Sequence, residues 1–324
     1  MSDGPPTVEI AGRPIGADQP VYVIAEISAN HGGDLQRALD LVAVAADAGA
    51  DAVKLQTYTP DSMTLDSDRP EFVVGAGTQW EGRRLYELYA EAMTPWAWHA
   101  PLFEAAAAAG IHCFSTPFDV PAADALAALD PPAYKIASFE LVDLPLIRHV
   151  AGLGRPLIMS TGMATLDEID AAVAAAGAAP GLVLLRCNSA YPAPTAEMGL
   201  ASIGVMAERW GVPIGLSDHS LTTTAAVAAV ALGASVIEKH ITFTRSEPGP
   251  DSSFSLEPQE LAELVTVVRD ARDAVGSVRF GPSPAERPSL AFRRSLWFTE
   301  DLPAGAVVPA SAVAWSPTMT GTWR

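Results

Sequence analysis

The sequence has 324 residues, of which 49% are hydrophobic and 7% aromatic, and its formal net charge is −18. This length accommodates one large domain and a small appendage, and the composition is typical of a folded globular protein. The negative charge argues against nucleic acid as a partner, because binding a phosphate backbone requires a basic face.

Eight short apolar runs predict parallel strands that are covered on both faces. They begin at Val21, Ala52, His112, Ala133, Pro156, Leu182, Pro213 and Val236. Ala-rich segments between them predict helices, with Asp34 as an N-cap, Thr165 and Glu168 as a capping box, and Pro258 as a helix start. Strands and helices alternating over about 250 residues predict a (β/α)8 TIM barrel. A doubly wound sheet is the alternative, but no Gly-rich dinucleotide loop follows the first strand.

Residues 57–93 interrupt this alternation after the second strand and are rich in turn formers and aromatic residues. A loop of this length in a barrel is expected to cover the active-site mouth. The barrel itself is expected to occupy residues 1–278, followed by a linker at 279–292.

Residues 293–324 predict two short strands joined by a turn, which are too small to bury a core alone. We therefore expect this segment to pack on a barrel, with Trp297, Phe298 and Trp315 as anchors.

The first residues, MSDGPPTVEI, contain neither a basic nor an apolar stretch, so no secretory signal is expected. No apolar run reaches the roughly 18 residues that a membrane helix needs. Cys113 and Cys187 lie in strand-like runs and are predicted to be reduced core thiols. These features predict a cytoplasmic protein without a membrane partner.

Polar residues at the carboxyl ends of barrel strands face the catalytic mouth. The chain has only three lysines, Lys54, Lys135 and Lys239, and each lies near the end of a predicted strand. Burying a lysine without an anion is costly, so these ends predict a site for a small phosphorylated or carboxylated ligand. The hydroxyl residues at the same ends either belong to this site or simply cap the helices that follow.

His219 and His240 end the seventh and eighth predicted strands. Adjacent strands of a barrel place these side chains close enough to share a divalent metal, with Glu26 and Asp251 as nearby oxygen donors. A hydrogen-bonded structural role for the two histidines is the alternative.

A set of short segments occurs here in the same order as in the sialic acid synthase family. They are AEISANHGGDLQRA, DAVKLQTYTPD, FSTPFD, AYKIASFE, STGMAT, CNSAYPAP, GLSDHS, VIEKHI and GPDSSFSLEP, between residues 21 and 258. The chain resembles this family, and GTQWEGRRLYELYAEAMTPWAW and PDSSFSLEP resemble its pseudaminic acid branch. The resemblance implies a homodimeric transferase that condenses phosphoenolpyruvate with an aldehyde sugar to a 3-deoxy-2-keto acid of the nonulosonic type.

The resemblance also implies individual roles. The carboxylate and phosphate of phosphoenolpyruvate would be held by Lys54, Thr116, Lys135, Ser138, Ser160, Ser189 and Ser217. The acceptor sugar would face Glu26, Gln56, Tyr191 and Asp251. His219 and His240 would bind Mn²⁺, or alternatively Mg²⁺ or Co²⁺. Glu26, Lys54, Lys135 and Asp251 are the candidate catalytic residues, and Glu26 is expected to handle the proton of water or of a sugar hydroxyl.

The sequence departs from the pseudaminic acid branch at three positions. Arg186 stands where the branch often has lysine, and because it is also cationic we expect it to bind substrate. Gln79 stands where GTLWEG is usual and Asn188 where CTSAYPAP is usual. These two departures are expected to bear on acceptor choice.

Residues 293–324 resemble a truncated start of the antifreeze-like domain in which relatives end. Ser316 stands where the resemblance implies an arginine that binds the acetamido group of the acceptor. A site that lacks this donor is expected to bind such a group less well. We therefore expect an acceptor other than the usual diacetamido sugar, or slow turnover of it.

Three other functions remain open at this point. A barrel lysine can form a Schiff base, as in an aldolase. A related synthase could use a different aldose acceptor. A third alternative is a barrel that binds a sugar without turnover.

Overall fold

The structure is a computed structural model that describes residues 5–317. It divides into two compact units, residues 1–275 and 276–324. The strands of the first unit are β1 Thr7–Ile10, β2 Arg13–Gly16, β3 Tyr22–Glu26, β4 Ala52–Thr57, β5 His112–Pro117, β6 Tyr134–Ile136, β7 Leu157–Ser160, β8 Leu182–Cys187, β9 Ile214–Ser217 and β10 Val236–His240. Its α-helices are α1 Leu35–Asp47, α2 Pro60–Met63, α3 Leu85–Ala92, α4 His99–Ala108, α5 Val120–Ala127, α6 Leu144–Gly152, α7 Leu166–Ala175, α8 Ser202–Trp210, α9 Thr224–Ala231 and α10 Pro258–Val275.

Strands β3 to β10 form a closed barrel of eight parallel strands, in which β10 pairs with β3. Each of the eight predicted strands overlaps one of these strands, so the predicted (β/α)8 barrel is confirmed. The register places Glu26 beside both Lys54 and His240. The carboxyl ends of β3, β4 and β10 therefore meet at the mouth, as the barrel geometry requires.

The helix signals in the sequence act as predicted. The Asp34 side chain accepts hydrogen bonds from two backbone N–H groups of α1, and α10 begins at Pro258. Thr165 and Glu168 form the reciprocal capping box of α7. These caps satisfy N–H groups that have no partner within their own helix, so each helix begins at a defined residue after its loop.

The antiparallel hairpin of β1 and β2 was not predicted. Its Ile10 and Ile15 side chains are fully buried and join an apolar cluster with Tyr22, Ile24 and Phe114 from the barrel strands. These barrel residues lie in the amino-terminal halves of their strands or at mid-strand, so the hairpin closes the end of the barrel opposite the mouth. Because each hairpin strand has only four residues, its alternating pattern is too short to stand out in the sequence.

The second unit contains an antiparallel pair, β11 Arg294–Phe298 and β12 Val313–Pro317, in which Leu296 lies opposite Trp315. The two predicted strands are therefore present. Trp297, Phe298 and Trp315, the expected anchors, are 48%, 67% and 65% exposed.

Cys113 and Cys187 are both free and buried. Among the helices of residues 5–317, none is both long and apolar enough to cross a membrane.

Candidate active site

Two lysines lie buried in the mouth of the barrel together with two glutamates. Lys54 of β4 forms an ion pair with Glu26 of β3. Glu238 of β10 lies between the two lysines, with its Oε1 3.9 Å from Lys54 Nζ and 3.7 Å from Lys135 Nζ. Ser217 of β9 also donates to Glu238 Oε1, at 3.1 Å. We call Glu26, Lys54, Lys135 and Glu238 the mouth cluster.

Each lysine of the mouth cluster also reaches a hydroxyl group of the neighbouring strand. Lys54 Nζ lies 3.3 Å from Thr116 Oγ1, and Lys135 Nζ lies 2.6 Å from Ser160 Oγ. A cation beside a hydroxyl donor suits the oxygens of a phosphate or carboxylate. The structure thus brings these four expected phosphoenolpyruvate ligands together.

The electrostatics of the mouth cluster depend on burial and on the four charges together. Burial raises the pKa of Glu26 and lowers the pKa of Lys135. Burial also opposes the charged forms of Lys54 and Glu238, but the opposite charges around them prevail, so the pKa of Lys54 is raised and that of Glu238 is lowered. Lys54 and Glu238 are therefore held charged, whereas Glu26 is held closer to neutrality.

Several buried polar atoms at this mouth have no hydrogen-bond partner among residues 5–317. They are Oε1 of Glu26, Oε2 of Glu238 and Nδ1 of His240, whereas Oε2 of Glu26 is paired with Lys54. Buried polar groups are nearly always hydrogen-bonded. This concentration of unsatisfied atoms at the carboxyl ends of β3 and β10 is therefore a strong indication of a ligand site.

His219 and His240 form a pair whose donor atoms fit a divalent metal ion. Their ring centroids lie 5.4 Å apart, and His219 Nδ1 lies 2.8 Å from the backbone oxygen of Asn188. With a proton on that Nδ1, Nε2 would be the ligand atom, which is the usual arrangement around a metal. Burial opposes the charged form of His219, but the hydrogen bond to Cys187 prevails and raises the pKa of His219, so a metal would compete with a proton there. Burial keeps the pKa of His240 well below its ordinary value, so its imidazole is neutral, as metal binding requires.

The expected oxygen donors are engaged elsewhere. Within the part of the chain that the structure describes, no three His, Cys, Asp or Glu side chains are grouped as metal ligands. Glu26 is paired with Lys54, and Asp251 accepts hydrogen bonds from the Ser28 hydroxyl and the Ala29 N–H. The histidines would therefore hold a metal as an open two-ligand site.

An aromatic wall stands beside the two histidines. The Tyr191 ring lies 4.3 Å from the His219 ring, and the Phe254 ring lies 5.0 Å from both Tyr191 and His240. Trp80 lies 5.7 Å from Tyr191. Because Trp80 belongs to the insertion at 57–93, this segment does reach the mouth.

The insertion is fastened to the loop after β10 by direct hydrogen bonds. Gln79 Nε2 and Trp80 Nε1 each donate to the Pro250 carbonyl at 2.8 Å, and Gln79 accepts from the Ser253 hydroxyl. These hydrogen bonds give a structural reason for the departure at position 79, because a leucine side chain could form neither of them. The neighbouring Asp251 is buried, which raises its pKa. Gln56, the remaining acceptor-side candidate, is half-buried at the end of β4.

Ser138 and Ser189 meet at Gly162. A Cβ atom at Gly162 would lie 2.5 Å from Ser138 Cβ and 2.9 Å from Ser189 Oγ, so only glycine permits this approach. Cys187 Sγ lies 3.7 Å from Ser189 Oγ. Burial disfavours the Cys187 thiolate, but hydrogen bonds from His219 and the two serines lower the pKa of Cys187 to about 7. The expectation of a plain core thiol was incomplete, since this cysteine borders the site.

The grouping of all three lysines in one anion site was wrong. Lys239 Nζ lies 2.9 Å from Asp218 Oδ2 and also donates to the Ser220 carbonyl. We call Lys239 and Asp218 the outer pair. Lys239 lies between Glu238 and His240 on β10, and strand alternation points it away from the barrel interior.

Arg186 also differs from its expected role. The hydrogen bonds described for its guanidinium go to the backbone carbonyls of Gly162, Cys187 and Met198. Glu238, in contrast, lies at a strand end that the sequence places at the mouth, but the resemblance assigns it no role, and it is central to the mouth cluster. The alternation of β10 was the available signal, since Glu238 shares a face with His240.

The fold and the site define a TIM-barrel enzyme whose mouth holds two buried lysines, two glutamates and an adjoining histidine pair. Residues 41–280 match the NeuB family, and the chain belongs to this family. It is 44% identical over 292 residues to a pseudaminic acid synthase of Campylobacter jejuni, covering 90% of this chain and 85% of the relative. It is 40% identical to a pseudaminic acid synthase of Helicobacter pylori, covering 89% of this chain and 85% of the relative.

A solved structure agrees with these relatives. The N-acetylneuraminic acid synthetase of Leptospira borgpetersenii superposes with a TM-score of 0.79 at 32% identity, covering 90% of this chain and 97% of that one. The resemblance to the sialic acid synthase family and to its pseudaminic acid branch is thus confirmed, and the chain is a carbon–carbon bond-forming synthase.

Proposed function

We propose that the chain condenses phosphoenolpyruvate with an open-chain aldehyde sugar to give a 3-deoxy-2-keto acid of the nonulosonic type and inorganic phosphate. The observation that carries this proposal is the mouth cluster, in which two buried lysines adjoin hydroxyl groups and polar atoms without protein partners. In the balanced reaction, C3 of phosphoenolpyruvate bonds to the aldehyde carbon and water adds to C2. The C2–O bond then breaks and phosphate leaves.

The lysines bind and orient phosphoenolpyruvate. Lys54 and Lys135 supply two positive charges, and Thr116 and Ser160 supply hydroxyl groups at hydrogen-bond distance from them. In a buried site such fixed donors act more strongly than they do in water. They offset the repulsion between the substrate anion and the carboxylates nearby.

Glu26 is the candidate for moving a proton of the attacking water or of the sugar. Its Oε2 is paired with Lys54, and its Oε1 lacks a protein hydrogen bond within the described residues. Burial raises the pKa of Glu26, which favours a group that can both accept and return a proton near neutrality.

His219 and His240 are proposed to hold a divalent ion, with Mn²⁺ as the first choice and Mg²⁺ or Co²⁺ as alternatives. When bound, such an ion supplies a Lewis acid for the aldehyde oxygen. The aromatic wall of Tyr191, Phe254 and Trp80 then bounds the acceptor side of the mouth, with Asp251 and Gln56 as its polar groups.

The acceptor is proposed to be an aldose related to the one used by the pseudaminic acid synthases that this chain resembles. Ser316 lies in β12, where the resemblance implies an arginine for the acetamido group. A serine cannot supply a bidentate cation. We therefore propose slow turnover of the diacetamido sugar or preference for another aldose.

We also propose that the chain forms a homodimer, which the family resemblance implies, and that it is located in the cytoplasm. The two cysteines are free and buried, which suits a reducing compartment, and no nucleic-acid partner is expected at a net charge of −18.

The test is a phosphate-release assay with phosphoenolpyruvate, Mn²⁺ and a panel of aldoses. The panel includes the diacetamido-trideoxy altrose used by pseudaminic acid synthases and simple aldoses. Phosphate release that requires an aldehyde, with formation of a 2-keto acid, supports the proposal. Efficient turnover of the diacetamido sugar would contradict the proposed role of Ser316, and no release with any acceptor would contradict the condensation itself.

A borohydride trap separates this reaction from a Schiff-base aldolase. The enzyme is incubated with pyruvate and borohydride and then analysed by mass spectrometry. No adduct is expected on Lys54 or Lys135, because both amines are engaged by carboxylates and hydroxyl groups. A reduced adduct on either lysine would favour the aldolase.

A further inference from the structure

Two of the three positions at which the sequence departs from its branch lie where β8 passes into the loop after it. Arg186 is the penultimate residue of β8, and Asn188 is the first residue after the strand. Asn188 Nδ2 donates to the Glu197 carbonyl at 3.0 Å, and Arg186 Nε donates to the Met198 carbonyl at 3.1 Å. The two side chains therefore donate hydrogen bonds to adjacent carbonyls at the far end of the loop that begins at residue 188.

The remaining bonds of these side chains hold the near end of the loop. Arg186 Nη1 donates to the carbonyls of Cys187 at 2.7 Å and Gly162 at 3.2 Å. Asn188 Oδ1 accepts from the Ala190 N–H at 3.0 Å. Arg186 thus ties the loop after β8 to the loop after β7, and Asn188 fixes the first turn.

Glycine allows the close approach of the arginine. Gly199 has a φ of +61°, and a Cβ there would lie 2.9 Å from Arg186 Nη2. The adjacent Met198 is only 1% exposed and packs in the main hydrophobic core. The far end of the loop is therefore anchored in the core, and the hydrogen bonds of Arg186 connect it to the end of β8.

The loop at residues 188–198 carries residues on two sides of the site. Ser189 meets Ser138 across Gly162 on the proposed phosphoenolpyruvate side. Tyr191 packs against His219 on the acceptor side, and the Asn188 carbonyl lies 2.8 Å from His219 Nδ1. A shift of this loop would move both sides of the mouth at once.

We propose that Arg186 and Asn188 are positioning residues that act as one clasp on residues 188–198. This inference rests on the proposed function only for the roles of Ser189 and Tyr191. Arg186 acts through the geometry of its planar guanidinium and not through its charge. Neither residue needs to touch the substrate.

The first test compares the charge-retaining variant Arg186→Lys with the charge-removing variant Arg186→Met. A lysine cannot reach the three carbonyls with a planar fork, so both variants should lose the clasp to the same extent. A misplaced loop should lower kcat/KM by about 10²-fold, with KM raised for both phosphoenolpyruvate and the acceptor. Wild-type kinetics in Arg186→Lys, combined with a raised KM for phosphoenolpyruvate alone in Arg186→Met, would overturn the clasp and assign Arg186 to the anion.

The second test is hydrogen exchange of the full chain without substrates, which does not depend on the reaction. Amides of residues 188–198 should exchange about tenfold faster in Arg186→Lys and in Asn188→Thr than in the wild type, because local opening becomes easier. The Arg209→Lys variant is the matched control, since Arg209 pairs with Asp170 on the barrel exterior. Unchanged exchange in both clasp variants would refute the proposal even if the enzyme proves to use another acceptor.

The double variant Arg186→Lys/Asn188→Thr tests whether the two residues act together. If they close the same loop, the double variant should be little worse than the poorer single variant, because neighbouring residues with a shared role are non-additive. Fully multiplicative losses in kcat/KM would show two independent roles and would contradict the single clasp.

Discussion

Glu238 and Lys239 are consecutive residues of β10, and both are buried and ion-paired, yet their surroundings differ. Glu238 faces the mouth cluster, where its Oε2 has no hydrogen-bond partner in the described chain. Lys239 faces outward and is bound by Asp218 and by the Ser220 carbonyl. The charged groups of the outer pair are hydrogen-bonded to protein atoms, whereas the mouth cluster contains polar atoms without a hydrogen-bond partner among the described residues.

This difference separates charges that stabilise the fold from charges that serve a ligand. Removing one member of a saturated buried pair leaves the other charge without compensation. Removing a charged member of the mouth cluster also removes part of the cost of burying that charge, and it takes away a contact to the ligand. We therefore expect stability to depend on the outer pair and turnover to depend on the mouth.

The largest effect is expected for His240→Ala, on the same face of β10 as Glu238. Loss of a metal ligand should lower kcat by more than about 10³-fold, because a Lewis acid contributes several kcal/mol to the transition state. Mn²⁺ binding, measured by calorimetry, should weaken in parallel, while the melting temperature stays near that of the wild type. His149→Ala, which removes a half-exposed histidine paired with Asp124, is the control. Full activity in EDTA would break this prediction.

Lys135→Met tests the mouth cluster directly. The variant keeps most of the side-chain stem but removes a charge near Ser160 and Glu238. We expect kcat/KM for phosphoenolpyruvate to fall about 10²–10³-fold, as for removal of a donor from a preorganised site. The unfolding free energy should change little, since Lys54 still faces Glu238. Loss of the folded state in this variant would show that the mouth cluster stabilises the fold as the outer pair does.

Lys239→Met tests the outer pair. Breaking a buried pair on one side costs about 3–5 kcal/mol, and urea denaturation should show a loss of this size. The exposed pair Arg209–Asp170 provides the comparison, because Arg209→Met should cost less than about 1 kcal/mol. If Lys239→Met retained wild-type stability but lost phosphoenolpyruvate binding, Lys239 would belong to the anion site after all.

Glu140→Gln gives the smallest effect and depends on pH. Burial raises the pKa of Glu140 to about 7, and its Oε2 is unsatisfied within residues 5–317. A carboxyl whose pKa is raised on folding favours the folded state below its unfolded pKa, and this stability is lost as the pH rises through 7. Glu140→Gln should therefore be more stable than the wild type by up to about 3 kcal/mol at pH 8 and equal to it near pH 4.

Thermal unfolding across pH 4–8 checks this prediction. Glu104→Gln, a change of an exposed residue on α4, should show no such trend. A stability gain in Glu140→Gln that persists unchanged at pH 4 would point to packing and not to ionisation.

The sequence by itself determined the barrel and much of its mouth. The apolar runs and caps such as Asp34 and Thr165 are local signals, because hydrogen bonding and burial within one element fix them. The polar residues at strand ends followed from the parallel direction of the strands. Lys54, Lys135 and the two histidines could be placed at the mouth in this way before any contact was known.

Only the tertiary structure decided which neighbours those residues have. Closure of the barrel brings Glu26 and Glu238 together across more than 200 residues of sequence, and it turns Lys239 outward to Asp218. It also gives Arg186 three carbonyl partners and places the first hairpin under the barrel core. Ion pairing and burial depend on atoms that are distant in the chain, so no local pattern can fix whether a charge is satisfied by the protein or left for a ligand.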